Sequence, residues 1–142
     1  METRLTSTQR VAICFAAGVI GAVAVVLFSH ILFESGISEA FGIKAPVSLK
    51  SPDIYKPLFW GGLWGIPFGL LIARTWDRLY LWGLVYFLAP VLALFLFFLP
   101  MSGAGYFGLN QGPRLPLYLL LVNLPFGIVT AVAARAIIGT KP

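Results

Sequence analysis

Four stretches of this chain carry no charged side chain, at 11–33, 58–73, 79–99 and 115–134. A helix rises about 1.5 Å per residue, so a hydrocarbon layer of roughly 30 Å takes about 20 apolar residues to cross. The first, third and fourth stretches reach that length, and the second, with 16 residues, falls short of it. Within lipid every backbone N–H and C=O must find its partner inside the segment, which makes each stretch a helix. The sequence therefore predicts an all-α, four-helix transmembrane bundle. Its helices are expected at about 11–33, 58–73, 79–99 and 115–138, in one membrane domain covering 1–142 with an ordered outer loop at 34–57.

Composition narrows the classes further. Of 142 residues, 59% are hydrophobic and 11% charged, and the longest connection is too short to bury a core of its own. The net charge of +5 does not point to nucleic acid, because the basic residues collect at helix ends and form no stripe. There they meet anionic headgroups and set topology. Cys14 is the only cysteine, so no internal disulfide can form, and inside an apolar stretch it reads as a small hydrophobe. Arg4 and Arg10 ahead of the first stretch, with Ser38-Glu39-Ala40 after it, resemble a signal peptide, but 23 apolar residues exceed a signal core. An uncleaved helix is expected.

With the N-terminus inside, the inner face holds Arg4, Arg10, Arg74, Arg78, Arg135 and Lys141, against Lys44, Lys50, Lys56 and Arg114 outside. The short turn Arg74-Thr75-Trp76-Asp77-Arg78 weighs most, since short loops dominate the positive-inside rule. Both termini are expected in the cytoplasm, with the chain in a bacterial inner membrane. Trp76, Tyr80 and Trp82 then lie at the inner interface, and Tyr55, Trp60, Tyr106 and Tyr118 near the outer one, at the depth amphipathic rings favour.

The outer loop sets a lysine every six residues, each soon followed by proline, in Lys44-Ala45-Pro46, Lys50-Ser51-Pro52 and Lys56-Pro57. Proline keeps the preceding residue extended, so a packed, non-helical strap is expected here. Glu34, Glu39 and Asp53 balance its three lysines. The connection at 100–114 holds Gly103, Gly105, Gly108 and Gly112 and reads as a flexible outer turn. It carries no nucleotide fingerprint, because no strand precedes it. An internal echo links Ile66-Pro67-Phe68-Gly69 to Leu124-Pro125-Phe126-Gly127, as two helical hairpins related by an axis along the membrane normal would produce.

Packing is written in small residues. Gly61, Gly65 and Gly69 recur every four residues and lie on one face of the second helix. Helices in lipid associate through close backbone approach, so this face marks a tight contact. Ala17/Gly21 and Gly18/Ala22 in the first helix and Gly127/Ala131 in the fourth are matching surfaces. In one compact bundle the second helix is expected between the first and fourth; if its face meets lipid, it is an oligomer interface. Pro67, Pro90 and Pro125 each remove a helical hydrogen bond and are expected to bend their helices.

Polar groups at depth are costly and are the first place to seek function. His30 and Glu34 lie one turn apart on the first helix, either a hydrogen-bonded pair at the outer interface or a proton-relaying one. Asn123 is expected to bond the carbonyl freed by Pro125, to reach another helix, or to touch a solute. Thr130 can satisfy itself on a carbonyl one turn back. A single histidine rules out a multi-His metal site, and no nucleophile motif, P-loop or paired intramembrane carboxylates occur, so neither enzyme nor cofactor is expected.

The Gly/Ala-rich first helix, with Leu81-Trp82-Gly83-Leu84 opening a helix that closes on Phe98-Leu99-Pro100, resembles small bacterial inner-membrane proteins of the YagU type. That resemblance implies a location and no mechanism. Two functions follow from the residues. The first is a non-enzymatic structural or accessory protein that contacts the bilayer and either itself or other membrane subunits. The alternative is a small homo-oligomeric transporter or channel.

Overall fold

The computed structural model describes residues 5–72 and 78–139. Most of the basic turn expected at the inner side, Arg74 to Asp77, lies outside the described residues, as do Arg4 and Lys141. The described chain is all-helical and without strands. Among the described residues three helical runs are long and apolar enough to cross a membrane, Ser7–Glu34, Leu79–Met101 and Arg114–Ile138.

Helix α1, Ser7–Glu34, starts before the apolar stretch because Thr6 caps it: its hydroxyl accepts from the Gln9 N–H while the Gln9 side chain accepts from the Thr6 N–H. A four-residue helix α2, Ile37–Ala40, follows in the loop. Helix α3, Tyr55–Pro67, continues as one wide π-turn through Phe68–Ile72. Pro67 has no N–H to give the carbonyl four residues back, and the next turn widens. The third run is α4, Leu79–Tyr86, then α5, Leu88–Ala93, a π-turn at Leu94–Phe98, and the short α6, Leu99–Met101. Its first break falls where Pro90 leaves the Tyr86 carbonyl without an amide partner. Helix α7, Arg114–Ile138, keeps its α-pattern through Pro125.

The order around the bundle departs from expectation. Helix α1, not the second apolar helix, lies in the middle, packed on α3 along one side and on α7 along the other. The reason is in the small residues. Helix α3 has one smooth face, Gly61/Gly65/Gly69, and it lies on Cys14, Gly18 and Ala22 of α1. A Cβ on Gly65 would overlap the Cys14 carbonyl, and one on Gly18 the Gly61 carbonyl. Helix α1 owns a second seam, three residues on and so about 60° around the helix, where Gly21 meets Phe126 and the Thr130 hydroxyl of α7. Two seams accommodate two neighbours. Gly127 of α7 turns the other way, onto the Gly83 carbonyl of α4, rather than onto the second apolar helix.

The glycine-rich connection is built rather than slack. Tyr106–Gln111 forms a 3-10 turn, the Asn110 N–H donates to the Ala104 carbonyl at 3.0 Å, and Phe107 packs on Phe95 with ring centres 5.1 Å apart. Gly108, at φ 69°, lies under Leu115 and Leu99, where a side chain would find neither a relaxed backbone nor room.

Candidate functional site

Two polar side chains inside α7 donate to local carbonyls. Thr130 donates to Phe126 at 2.7 Å and Asn123 Nδ2 to Leu119 at 2.8 Å, both one turn back on their own helix. The carbonyl freed by Pro125 belongs to Leu121, so Asn123 neither repairs that gap nor reaches another helix. Its Oδ1 makes no hydrogen bond among the described residues. Tyr86 crosses from α4 to donate to the Trp64 carbonyl of α3 at 2.6 Å, and its ring meets Phe68 edge-on at 5.3 Å. Sequence reasoning passed over Tyr86, whose hydroxyl is the group that ties the third run to α3.

His30 and Glu34 are not brought together. The ring Nε2 of His30 lies 2.9 Å from the Val47 carbonyl in the outer loop; a carbonyl only accepts, so Nε2 is the donor. One residue earlier, buried Ser29 accepts from the Val47 N–H at 3.2 Å and donates to the Val26 carbonyl at 2.6 Å. Helix α1 thus clamps both backbone groups of Val47 with adjacent side chains. Where it leaves α1 the loop is held by Ser38, buried against the Tyr118 hydroxyl at 3.3 Å, and by Arg114, which donates to the Ala40 carbonyl at 3.1 Å. The sequence signal for the clamp was the dipeptide Ser29-His30 at the outer end of an apolar helix.

This clamp should govern the loop's opening. Two hydrogen bonds at about 0.5–1.5 kcal/mol each hold the strap, so Ser29→Ala/His30→Ala should raise the open population by a factor between about 5 and about 160. Limited trypsin cleavage after Lys44 and Lys50 should accelerate accordingly while helicity is unchanged. An unaltered cleavage rate would remove the clamp from the account.

Beneath the strap the helices do not close. Helix α3 and the third run meet through Tyr86 and Phe68 toward the Ile72 end and through Trp60 and Phe98, 5.2 Å apart edge-on, toward the Tyr55 end. Elsewhere they splay, leaving a half-open cavity of about 580 Å³. Its walls include Trp60 and Trp64 of α3, Pro90 of α5, Leu94 and Phe98, with Phe126 and Asn123 from α7. Val47 and Lys56 stand at its outer end. Lys56, Trp60 and Trp64 are spaced four apart and so share one face of α3 beside the glycine face. Inward of the cavity lie Cys14, Ala17, Phe68, Tyr86 and Ala131, a core that is 0–9% exposed. Among the described residues, this core bounds the cavity on that side.

Of the residues singled out from the sequence, Ala22, Lys56, Pro57, Trp60, Gly61, Pro90 and Asn123 reach this cavity. Gly21, Gly65, Gly69 and Gly127 lie in the helix seams, Ala17 is in the buried core, and His30 acts at the rim through Val47, while Glu34 is exposed. Comparison with protein-family profiles, curated proteins and solved structures finds no match to this chain.

Proposed function

We propose that this chain is a non-enzymatic integral membrane protein of four spans, an accessory or structural subunit that works by contact rather than by transport. The observation that carries this reading is the packed core around Phe68, Tyr86 and Ala131, which bounds the cavity among the described residues. Committed polar groups support it too, since Thr130 and Asn123 donate to their own helix instead of lining a path. The fourth span is α3 with its π-turn, 18 residues to Ile72 and so at most about 27 Å, a length that modest bilayer thinning matches.

A partner surface lies on the third run. Only 17% of its apolar window is buried, against 33% and 44% in the other two long helices. Leu81, Val85, Leu88, Leu92 and Leu96 are exposed along it at spacings of three and four, a stripe that suits another helix of this chain or of a partner. We also propose the two-hairpin relation. Gly69 packs on the helix before it, as Gly127 packs on Gly83, and both echoed phenylalanines are buried. The cavity then occupies the position that mirrors the tight seam between α1 and α7.

Both termini belong in the cytoplasm of a bacterial inner membrane on this reading. In a Cys14→Ala background, Ser51→Cys should react with an impermeant thiol reagent outside intact cells and Thr75→Cys should not; the reverse pattern would invert the topology. Proteoliposomes of the wild type should show no flux across a panel of ions and small solutes. Asn123→Leu should fold normally, because its one hydrogen bond is to a carbonyl of its own helix. A wild-type flux that disappears in folded Asn123→Leu would replace the accessory reading with the transporter.

A further inference from the structure

The cavity's dimensions are those of one leaflet. From Lys56 at its mouth to Trp64 at its depth are eight residues of helix, about 12 Å, close to half of a hydrocarbon layer of roughly 30 Å. Its volume of about 580 Å³ falls inside the roughly 300–1,000 Å³ of sites that enclose a small molecule. Its walls are apolar nearly throughout, with Trp60, Trp64, Leu94, Phe98 and Phe126 offering flat and branched surface. Such a slot fits a single hydrocarbon chain.

The polar features are confined to two points. Lys56 is exposed at the outer end and has no acidic partner among the described residues. It stands in the first turn of α3, whose N-terminus lacks a side-chain cap, so the positive end of the helix adds to its charge. Deeper in, Asn123 offers a free Oδ1, which suits no second anion. Charge therefore selects an anionic head at the mouth and a chain below it.

We propose that the cavity is a binding site for one long-chain fatty acid of the leaflet facing the loop, its carboxylate at Lys56 and its chain between α3 and the third run. The strap crosses the head region, with Val47 at the rim, and access is sideways from the bilayer through the gap between Trp60 and Trp64 on one side and Leu94 on the other. This site rests on the membrane reading above but not on the accessory role.

The test uses the full chain in nanodiscs of zwitterionic phospholipid at mildly alkaline pH, titrated with a chain-brominated fatty acid and read by tryptophan quenching. Failure to enter nanodiscs would count against the membrane reading itself. The wild type should show a saturable phase on top of the linear quenching that partition into lipid gives. Trp60→Phe/Trp64→Phe should remove most of that saturable amplitude, since both rings line the cavity while Trp82, exposed on the third run, reports only partition. Lys56→Gln should weaken the saturable phase about fivefold, the effect of about 1 kcal/mol for one surface cation. Purely linear quenching, or a saturable phase indifferent to Lys56→Gln, would overturn the proposal. So would equal saturation by a brominated diacyl phosphatidylcholine, which would make the slot an ordinary lipid contact.

Discussion

Gly65→Leu should abolish the native bundle. The Cβ of any residue at 65 overlaps the Cys14 carbonyl, and the Cα of Phe15 is only 3.2 Å from it. These are backbone atoms of α1, so no rotamer change makes room and the two helices must separate. Ordinary overpacking costs about 1–3 kcal/mol because side chains can shift; here the cost should exceed that range. Separation also opens the seam at Gly18 and Gly61, which shares the same approach. In lipid no hydrophobic driving force restores a parted pair, since tails cover the exposed faces as well as protein does. Ala16 is the control, because it is exposed on α1 and Ala16→Leu should leave the melting temperature unchanged. Equal thermal stability of Gly65→Leu and wild type in mild detergent would mean that the glycine face is not a contact.

Gly127→Leu should produce a different failure, the release of the third run from an otherwise intact core. A Cβ at 127 overlaps the Gly83 carbonyl and comes within 3.1 Å of the Phe87 amide nitrogen. The third run is held chiefly by α7, with Tyr86 and two aromatic pairs as its ties to α3. Loss of the α7 seam leaves those ties to carry it alone. Hydrogen exchange in 79–93 should therefore accelerate tenfold or more, an opening cost lowered by about 1.4 kcal/mol. Protection in 14–22, which rests on α3 and the far side of α7, should persist. Uniform acceleration across the chain would show that the bundle melts as one unit instead.

The contrast between these substitutions marks what local pattern could reveal. The glycines at 61, 65 and 69 announced a close contact, because only backbone approach rewards such a face in lipid. They could not name the partner. Both α1 and α7 present small residues at the same spacing, and the choice depends on which helix can serve two neighbours at once. The His30–Glu34 pairing failed for a similar reason. Residues one turn apart share a face, but His30 met a loop carbonyl seventeen residues on, which no helical spacing encodes. The Lys56/Trp60/Trp64 face was visible as a pattern, yet Trp60 read as interfacial anchoring because an empty space has no sequence signature.

What the sequence determined by itself is the medium and the elements: uncharged stretches of membrane length, helices, and the seams where they touch. Those follow from local rules, since lipid forces every backbone bond inside its own segment and small side chains mark where backbones meet. Tertiary structure alone decided the order of helices around α1, the clamping of Val47, and the cavity beneath it. Each of these depends on which of several equivalent faces are paired at once, and on where the prolines at 67 and 90 leave two helices unable to run side by side. A gap between packed helices is a property of the whole arrangement, and no single segment carries it.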